Sequence, residues 1–475
     1  MTIELLIEPS CPRWSEAIHR DRGGELRGHS LGDWRDKTRR ELGLATGRPV
    51  VATGHQAMLW HPGILAKYLV VEAFLRHAPP GTPAAGANLV VDQHVGGFGS
   101  FEVPVRRGDG TLAVRSIELV AQRKDVPMAR HDAFTPPRPA GHLPVALPSV
   151  RAGIKRVFDA IDAHRDAPNA AMQMAGALAD LMAPWVGPLT NVAASELLET
   201  SLARALLEMM ASAPAACARA YNEAVAAVPE SGIGPLLVRD DYVELPLWRL
   251  RPDGRRMRAY DSDVQMWLED PDAVVLLPRA LLMTALVRLG VCDLFVHGTG
   301  GARYDRAMEH WVKSWLGLEP APIAVVTATL RLGLASPGGE GADVAAALAA
   351  ARRVWHDPAS SAAGDIPGAG AVKRALLARI DGEPRGSAAR RAAYLTMHER
   401  LGELRTEHAG AVEAARQRAA AALREAAAAP IADRRTWPFA LYADEMIDEL
   451  AEAVSDAVGG AGQPQSRLFD RPRSP

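Results

Sequence analysis

The apolar positions change period several times along the chain, and each change marks an element. Val50-Val51-Ala52, entered from Pro49, is a short continuous apolar run closed by Thr53-Gly54-His55-Gln56, which reads as a buried strand running into a turn. From Pro62 to His77, Ile64, Leu65, Tyr68, Leu69, Val71 and Leu75 recur at helical spacing. Pro62 suits the first helical position, because it has no N–H to leave unpaired and its φ is already set. The stretch therefore predicts a strand, a turn bearing Gly and His, and a helix N-terminus. Ala87 to Asp92 is a second buried strand, ending in Asp92-Gln93-His94 ahead of Gly96-Gly97-Phe98-Gly99. Phe101–Arg106 and Leu112–Leu119 alternate around Gly108-Asp109-Gly110, a hairpin pattern. Before these, TIELLIE is strand-like, and a polar segment with Trp14 and Trp34 follows it, expected at the edge of the first domain.

Residues 149–229 keep three/four apolar spacing and predict helices throughout. Leu236–Leu250 alternates as strands do, with a turn at Pro252-Asp253-Gly254, and Val274–Leu277 is a buried strand. Ala280–Leu289 is helical, with Thr284 and Arg288 on one face. Asp293–Val296 is a strand that runs into His297-Gly298-Thr299-Gly300-Gly301-Ala302-Arg303-Tyr304-Asp305, followed by helix to about Trp315 and a last core strand at Ile323–Leu330. Val344, Leu348, Ala351 and Trp355 form a helical stripe, and 358–370 is a small-residue linker. Over 387–429 the steps Leu401, Leu404, His408, Val412, Ala415, Ala419, Leu423 are heptad-like, predicting one long helix that pairs with an earlier one.

The resulting expectation is an α/β protein with a Rossmann-like parallel-sheet core, helical connecting segments and a C-terminal antiparallel coiled-coil arm. Residues 1–148 form the first half of the core, 149–230 a helical connecting subdomain, and 231–335 the second half. Residues 336–430 form the arm, 431–458 return to the core, and 459–475 are a disordered tail. The arm stripe looks longer than any partner within the chain, so a homodimer through it is expected.

Composition narrows the function. At 475 residues, roughly two to four domains fit. A formal net charge of −2 gives no electrostatic case for nucleic acid or membrane, and the expected partners are small-molecule substrates. The start lacks a signal-peptide pattern and no long apolar stretch occurs, so the expectation is a cytoplasmic protein. Cys11, Cys217 and Cys292 are far apart and form no CxxC, so neither a disulfide framework nor a local zinc site is assigned; a metal requirement is left open.

The candidate chemistry sits past the strand ends. A helix N-terminus favours an anion such as phosphate, and Gly54, His55, Gln56, His61 and Gly63 surround the one at Pro62. The plainer alternative is an ordinary connection with incidental histidines. Asp92 and His94 lie where open α/β sheets bind ligands, or they cap a loop. In the second Gly-rich turn, His297, Gly298, Gly300, Gly301, Arg303, Tyr304 and Asp305 offer close backbone approach, charge and hydrogen bonds; the alternative is a tight turn using Gly for φ > 0. The spacing fits neither GxGxxG nor a P-loop. All these residues are expected to line one cleft.

These motifs resemble the bacillithiol-biosynthesis BshC family of cysteine-adding ligases. Thr53-Gly54-His55-Gln56-Ala57-Met58-Leu59-Trp60-His61-Pro62-Gly63 is similar to its TGQQ-x-G-L-x-x-GP turn, Val91-Asp92-Gln93-His94 to its E-D-H-D strand end, and Gly298–Asp305 is placed like its Gly-Gly-Pro-Gly-Glu loop. His55 stands in place of Gln, Met58 in place of Gly, and Asp92 alone stands for the acidic pair. The resemblance implies a nucleotidylyl-transferase-type core, use of ATP or another adenine nucleotide, and joining of an amino acid to an amino sugar or other amine. In that scheme His55, His61 and Arg303 meet the phosphates, while Asp92 or His94 handles the amine. The competing classes are a non-catalytic nucleotide- or sugar-phosphate-binding assembly protein and a glycosyl- or nucleotidyltransferase.

Overall fold

Val50 and Asp293 tie two parallel strands together at their starts, and a six-stranded sheet spreads outward from that pair. In this computed structural model, residues 3–20, 22–77, 83–139, 141, 143–334, 343–356 and 369–459 are described. The first elements in chain order are β1 (Glu4–Glu8), α1 (Pro12–His19), β2 (Glu25–Leu26), β3 (His29–Ser30), α2 (Leu31–Glu41), β4 (Val50–His55), α3 (Pro62–Arg76) and β5 (Ala85–Val90). Next come β6 (Ser100–Arg106), β7 (Leu112–Glu118), α4 (Pro148–Ala163), α5 (Ala170–Met182), β8 (Thr190–Ala193), α6 (Ser201–Ser212) and α7 (Pro214–Ala227). Then follow β9 (Glu244–Leu250), β10 (Arg256–Tyr260), α8 (Asp261–Glu269), β11 (Leu276–Pro278), α9 (Ala280–Leu286), β12 (Leu294–His297), α10 (Thr299–Leu316) and β13 (Ile323–Thr329). The last are α11 (Val344–His356), α12 (Ala369–Asp381), α13 (Ala388–Glu407), α14 (Ala409–Ala432) and α15 (Asp444–Gly459).

The chain is a mixed α/β protein. Its main sheet has the order β1-β13-β12-β4-β5-β8; β1 is antiparallel and the other five strands are parallel. Helix α3 packs against β4, β5, β12 and β13, with α15 on it. It is apolar almost all round, as a helix covered on every side must be. Pro62 begins it, as its position before the apolar run requires, and His61 caps it by accepting the Gly63 N–H at Nδ1, 3.1 Å away. Cys11, Cys217 and Cys292 are buried and free. Among the described residues, no helix is long and apolar enough to cross a membrane.

Three expectations change. Residues 190–193, read as part of an all-helical block, form the edge strand β8; four residues are too few for a period to show. Of the stretch 231–335, only β12 and β13 join the main sheet, while β10-β9-β11 make a separate antiparallel sheet. The long helix of 387–429 is two helices, because the His408 backbone (φ −116°, ψ 34°) leaves helical geometry.

By contacts the chain divides into two units, one of Met1–Val103, Arg115–Leu332 and Arg435–Pro475, the other of Pro104–Val114 and Gly333–Arg434. Within the second unit α12 covers the α13 stripe, burying Met397, Leu401 and Leu404 with Ile380, and α11 covers α14, burying Val412 and Ala415 with Val354. Most of the stripe is thus covered from inside the chain, although Leu423 stays 47% exposed. Residues 358–368 of the expected linker and 460–475 of the expected tail lie outside the described residues.

Below the parallel strands, Asp293 is 5% exposed and gathers Arg39 (2.6 Å), Arg35 (2.7 Å), Arg22 (3.3 Å) and the Val50 N–H (2.8 Å). Removing this carboxylate leaves buried guanidinium groups without a counter-charge. Asp293→Ala should therefore destabilise the fold by about 3–5 kcal/mol. Urea unfolding checks this, and an unchanged midpoint would mean that the cluster contributes little.

Candidate functional site

The chain leaves β4 towards β5 on one side and leaves β12 towards β13 on the other. Adjacent parallel strands whose connections diverge open a crevice at their carboxyl ends. A cavity of 760 Å³ lies there, bounded by the end of β4, the start of α3, the end of β12, the start of α10 and the small antiparallel sheet. Its volume suits a ligand of nucleotide or similar size.

The first wall comes from β4 and α3. The strand runs on through His55, so Gly54 is extended rather than part of a turn. Glycine is needed there because a Cβ would collide with the Leu89 carbonyl on the neighbouring strand. Lys67, one turn past Gly63, points into the cavity from an otherwise apolar helix. It is 2% exposed, and its Nζ donates to the Gly54 carbonyl at 2.6 Å. Burial lowers its pKa to about 7, so the ammonium is only partly retained at neutral pH. His55 is held down to about 3 by burial and then by Lys67, and His61 to about 4 by burial and then by Arg435 and Lys67. Both are neutral imidazoles at pH 7.

The second wall is the antiparallel sheet. Period two puts Glu244 and Trp248 of β9 on one face, and β10 sets Arg258 opposite Trp248 with Arg256 two residues back. The Arg256 and Arg279 guanidinium groups lie 4.6 and 4.1 Å from the Trp248 ring centroid, a stacked arrangement that aligns planar donors. Arg256 donates to the Gln93 carbonyl (2.8 Å). Arg279 (2.6 Å) and Arg258 (3.2 Å) pair with Glu244, which is 1% exposed. His94, pushed down by burial and by Arg256, completes this side.

The third wall is β12 and α10. The Gly-rich segment is not a loop: α10 begins at Thr299 with Gly298 as its N-cap, so the glycines form the first helical turn. None of Gly298, Gly300 and Gly301 has a positive φ, which removes the tight-turn explanation for them. At Gly301 a Cβ would collide with the His297 ring. At Gly298 and Gly300 a Cβ would meet nothing within 4 Å, although both line the cavity. The protein's own packing therefore does not require glycine at 298 and 300, and the bare backbone there leaves room for a ligand to approach closely.

Five cationic side chains line the space, Lys67, Arg256, Arg258, Arg279 and Arg435, against one carboxylate, Glu244. In a chain of net charge −2 this is a local concentration of positive charge, which would favour an anionic ligand over a cationic one. Among the described residues no group of three or more His, Cys, Asp or Glu is placed to hold a metal ion.

Most of the candidates converge here: Gly54, His55, Gln56, His61 and Gly63 on one side, His94 opposite, and His297 to Gly301 with Tyr304 on the third. Three do not reach the cavity. Asp92 is 2% exposed and accepts the Ser195 N–H (3.0 Å) and hydroxyl, tying the end of β5 to the residues after β8. Arg303 is exposed on the outer side of α10, so it is no phosphate clamp. Asp305 is fully buried behind His297. Lys67 and the arginines were not singled out from the sequence, although signals existed. A lysine in a helix apolar on every face has no polar side to turn to, and Arg256 and Arg258 alternate along one strand face.

Compared with known proteins, the chain matches no family model and no curated protein.

Gly300→Ala separates the two readings of the glycines. Replacing a helical glycine with alanine should stabilise the fold by about 0.5–1 kcal/mol, while the new methyl group intrudes on the ligand. If a ligand approaches this turn, the expected result is a higher melting temperature with at least tenfold weaker binding, about 1.4 kcal/mol, of an anionic nucleotide probe such as ATP. Unchanged affinity would mean that no ligand approaches this turn.

Proposed function

We propose that this cavity is the active site of a carboxylate-activating ligase on a Rossmann-like, nucleotidylyl-transferase-type core, joining an amino acid to an amino sugar or similar amine at the expense of ATP. The observation that carries the reading is the five-to-one excess of cations over carboxylates in a cavity at the strand switch point, beside a helical turn left open at Gly300. The motif resemblance to the BshC ligases at 53–63, 91–94 and 298–305 supports the choice of reaction.

The chemistry asks for what the walls offer. A substrate carboxylate oxygen attacks the α-phosphorus of ATP, pyrophosphate departs, and an amine then displaces AMP from the acyl adenylate. Negative charge builds on the phosphoryl oxygens during the first step, and fixed cations stabilise it without reorganisation. Lys67 with Arg435 on one side, and Arg256, Arg258 and Arg279 on the other, would hold the triphosphate and the amino-acid carboxylate. Neutral His61, whose Nδ1 accepts the Gly63 N–H, would offer its Nε2–H as a hydrogen-bond donor rather than a charge, while His55, whose Nδ1 faces the Gln56 carbonyl at 3.4 Å, would present Nε2 as an acceptor.

Release of pyrophosphate on mixing the protein with ATP and a panel of amino acids tests this. The expected outcome is release that depends on the amino acid and falls at least a hundredfold in Arg279→Ala, within the range for loss of one stabilising donor. Tight ATP binding with no release for any amino acid would reject the ligase and favour a binding module.

A further inference from the structure

The cavity holds four histidines, and one of them is built differently. His55, His61 and His94 are disfavoured as cations by burial first and then by the neighbouring Lys67, Arg435 and Arg256. His297, the last residue of β12, instead faces a carboxylate: its Nε2 lies 2.8 Å from Asp305 Oδ2. Asp305 sits in α10 and is fully buried; burial alone would raise its pKa, but His297 and Arg288 more than offset that, and it stays below the ordinary carboxylate range. An ionised carboxylate only accepts, so Nε2 must carry a proton, and in the neutral tautomer the lone pair is then on Nδ1. Nδ1 makes no hydrogen bond among the described residues and lies on the Gly301 side of the ring, where the missing side chain leaves room for it.

Charge balance favours the same assignment. Arg288 is 1% exposed, donates to Asp305 at 2.9 Å and also pairs with Glu309. One cation thus serves two carboxylates, a net charge of −1 while the imidazole is neutral. A proton arriving at His297 brings the cluster to neutrality, whereas a proton on any other histidine of the cavity adds to an existing positive charge. The π-helical turn Val287–Val291 places Arg288 in this buried position, and its Nε donates to the Ala321 carbonyl at 2.6 Å.

We propose that His297, oriented by Asp305, accepts the proton released when the amine substrate attacks the activated carboxyl group. This rests on the ligase reading above. In the step, the amine nitrogen bonds to the acyl carbon, the bond from that carbon to the AMP oxygen breaks, and AMP leaves with the electron pair. The nitrogen's proton passes to Nδ1, forming an imidazolium stabilised by Asp305. Asp305 is a positioning residue, and Arg288 holds it ionised.

The test uses the full chain with ATP, a competent amino acid and an amine acceptor. His297→Gln should release pyrophosphate within about twofold of the wild type in the first turnover, yet form amide about 100-fold more slowly, the scale of a lost general base. In His297→Gly, added imidazole should restore part of the amide formation. Amide formation by His297→Gln at the wild-type rate overturns the proposal. Nitrogen NMR of labelled histidine gives a readout that needs no turnover: the neutral His297 ring should carry its proton on Nε2, and Asp305→Asn should erase that preference. A ring protonated on Nδ1 in the wild type overturns the assignment whatever the activity. Failure of the wild type to release pyrophosphate is a different result; it removes the ligase reading, and this role falls with it.

Discussion

One carboxylate sets the geometry on which the cavity depends. Asp293 immediately precedes β12, and its Oδ2 accepts the Val50 N–H at the first residue of β4, while its own N–H donates to the Val50 carbonyl at 2.8 Å. This reciprocal pair fixes the starts of two parallel strands against each other. From there the register runs Leu294 with Val51, Phe295 with Ala52 and Val296 with Thr53. The other ends, at Gly54-His55 and His297-Gly298, are therefore delivered side by side. The three arginines on Asp293 offset the cost of burying the charge, at the end of the sheet remote from the cavity.

At the carboxyl ends the balance is reversed. There cations outnumber carboxylates and the protein leaves the excess uncompensated. Lys67 carries a cost of its own: burial lowers its pKa to about 7 in the fold against an ordinary value in the unfolded chain, so it works against stability. Between those two values the unfolded state binds more protons, so stability gained from this group rises with pH across that window and is lost as pH falls towards neutrality. A folded protein tolerates such a group where a ligand of opposite charge supplies the missing partner. Glycine at 298 and 300, which the protein's own packing does not demand, fits the same account.

Much of this was legible in the sequence. The α3 start was marked by Pro62 and its apolar spacing, the β6–β7 hairpin by alternation about Gly108-Asp109-Gly110, and the convergence of both Gly-bearing segments by their place after strands. What was not legible depended on partners distant in the chain. Asp92 and Asp305 look like site carboxylates by position, but Ser195 in one case and His297 with Arg288 in the other draw them inward. Arg303 follows a Gly-rich run, but because the helix already begins at Thr299 the helical turn carries it outside. Arg256, Arg258 and Arg279 converge only through the pairing of β9 with β10 and β11, which no local pattern specifies. The break at His408 likewise interrupts a heptad-like stripe whose apolar spacing continues across it.

The central claim is that an anion completes the cavity by restoring the charge on Lys67. At pH 8 a lysine of pKa about 7 is about nine-tenths neutral, and a bound triphosphate should raise its pKa and draw a proton from the buffer. Titration calorimetry with ATP in two buffers of different ionisation enthalpy measures that proton directly. The account predicts uptake approaching one proton per ATP bound, abolished in Lys67→Met. Binding with no proton uptake, or uptake that survives Lys67→Met, would contradict it.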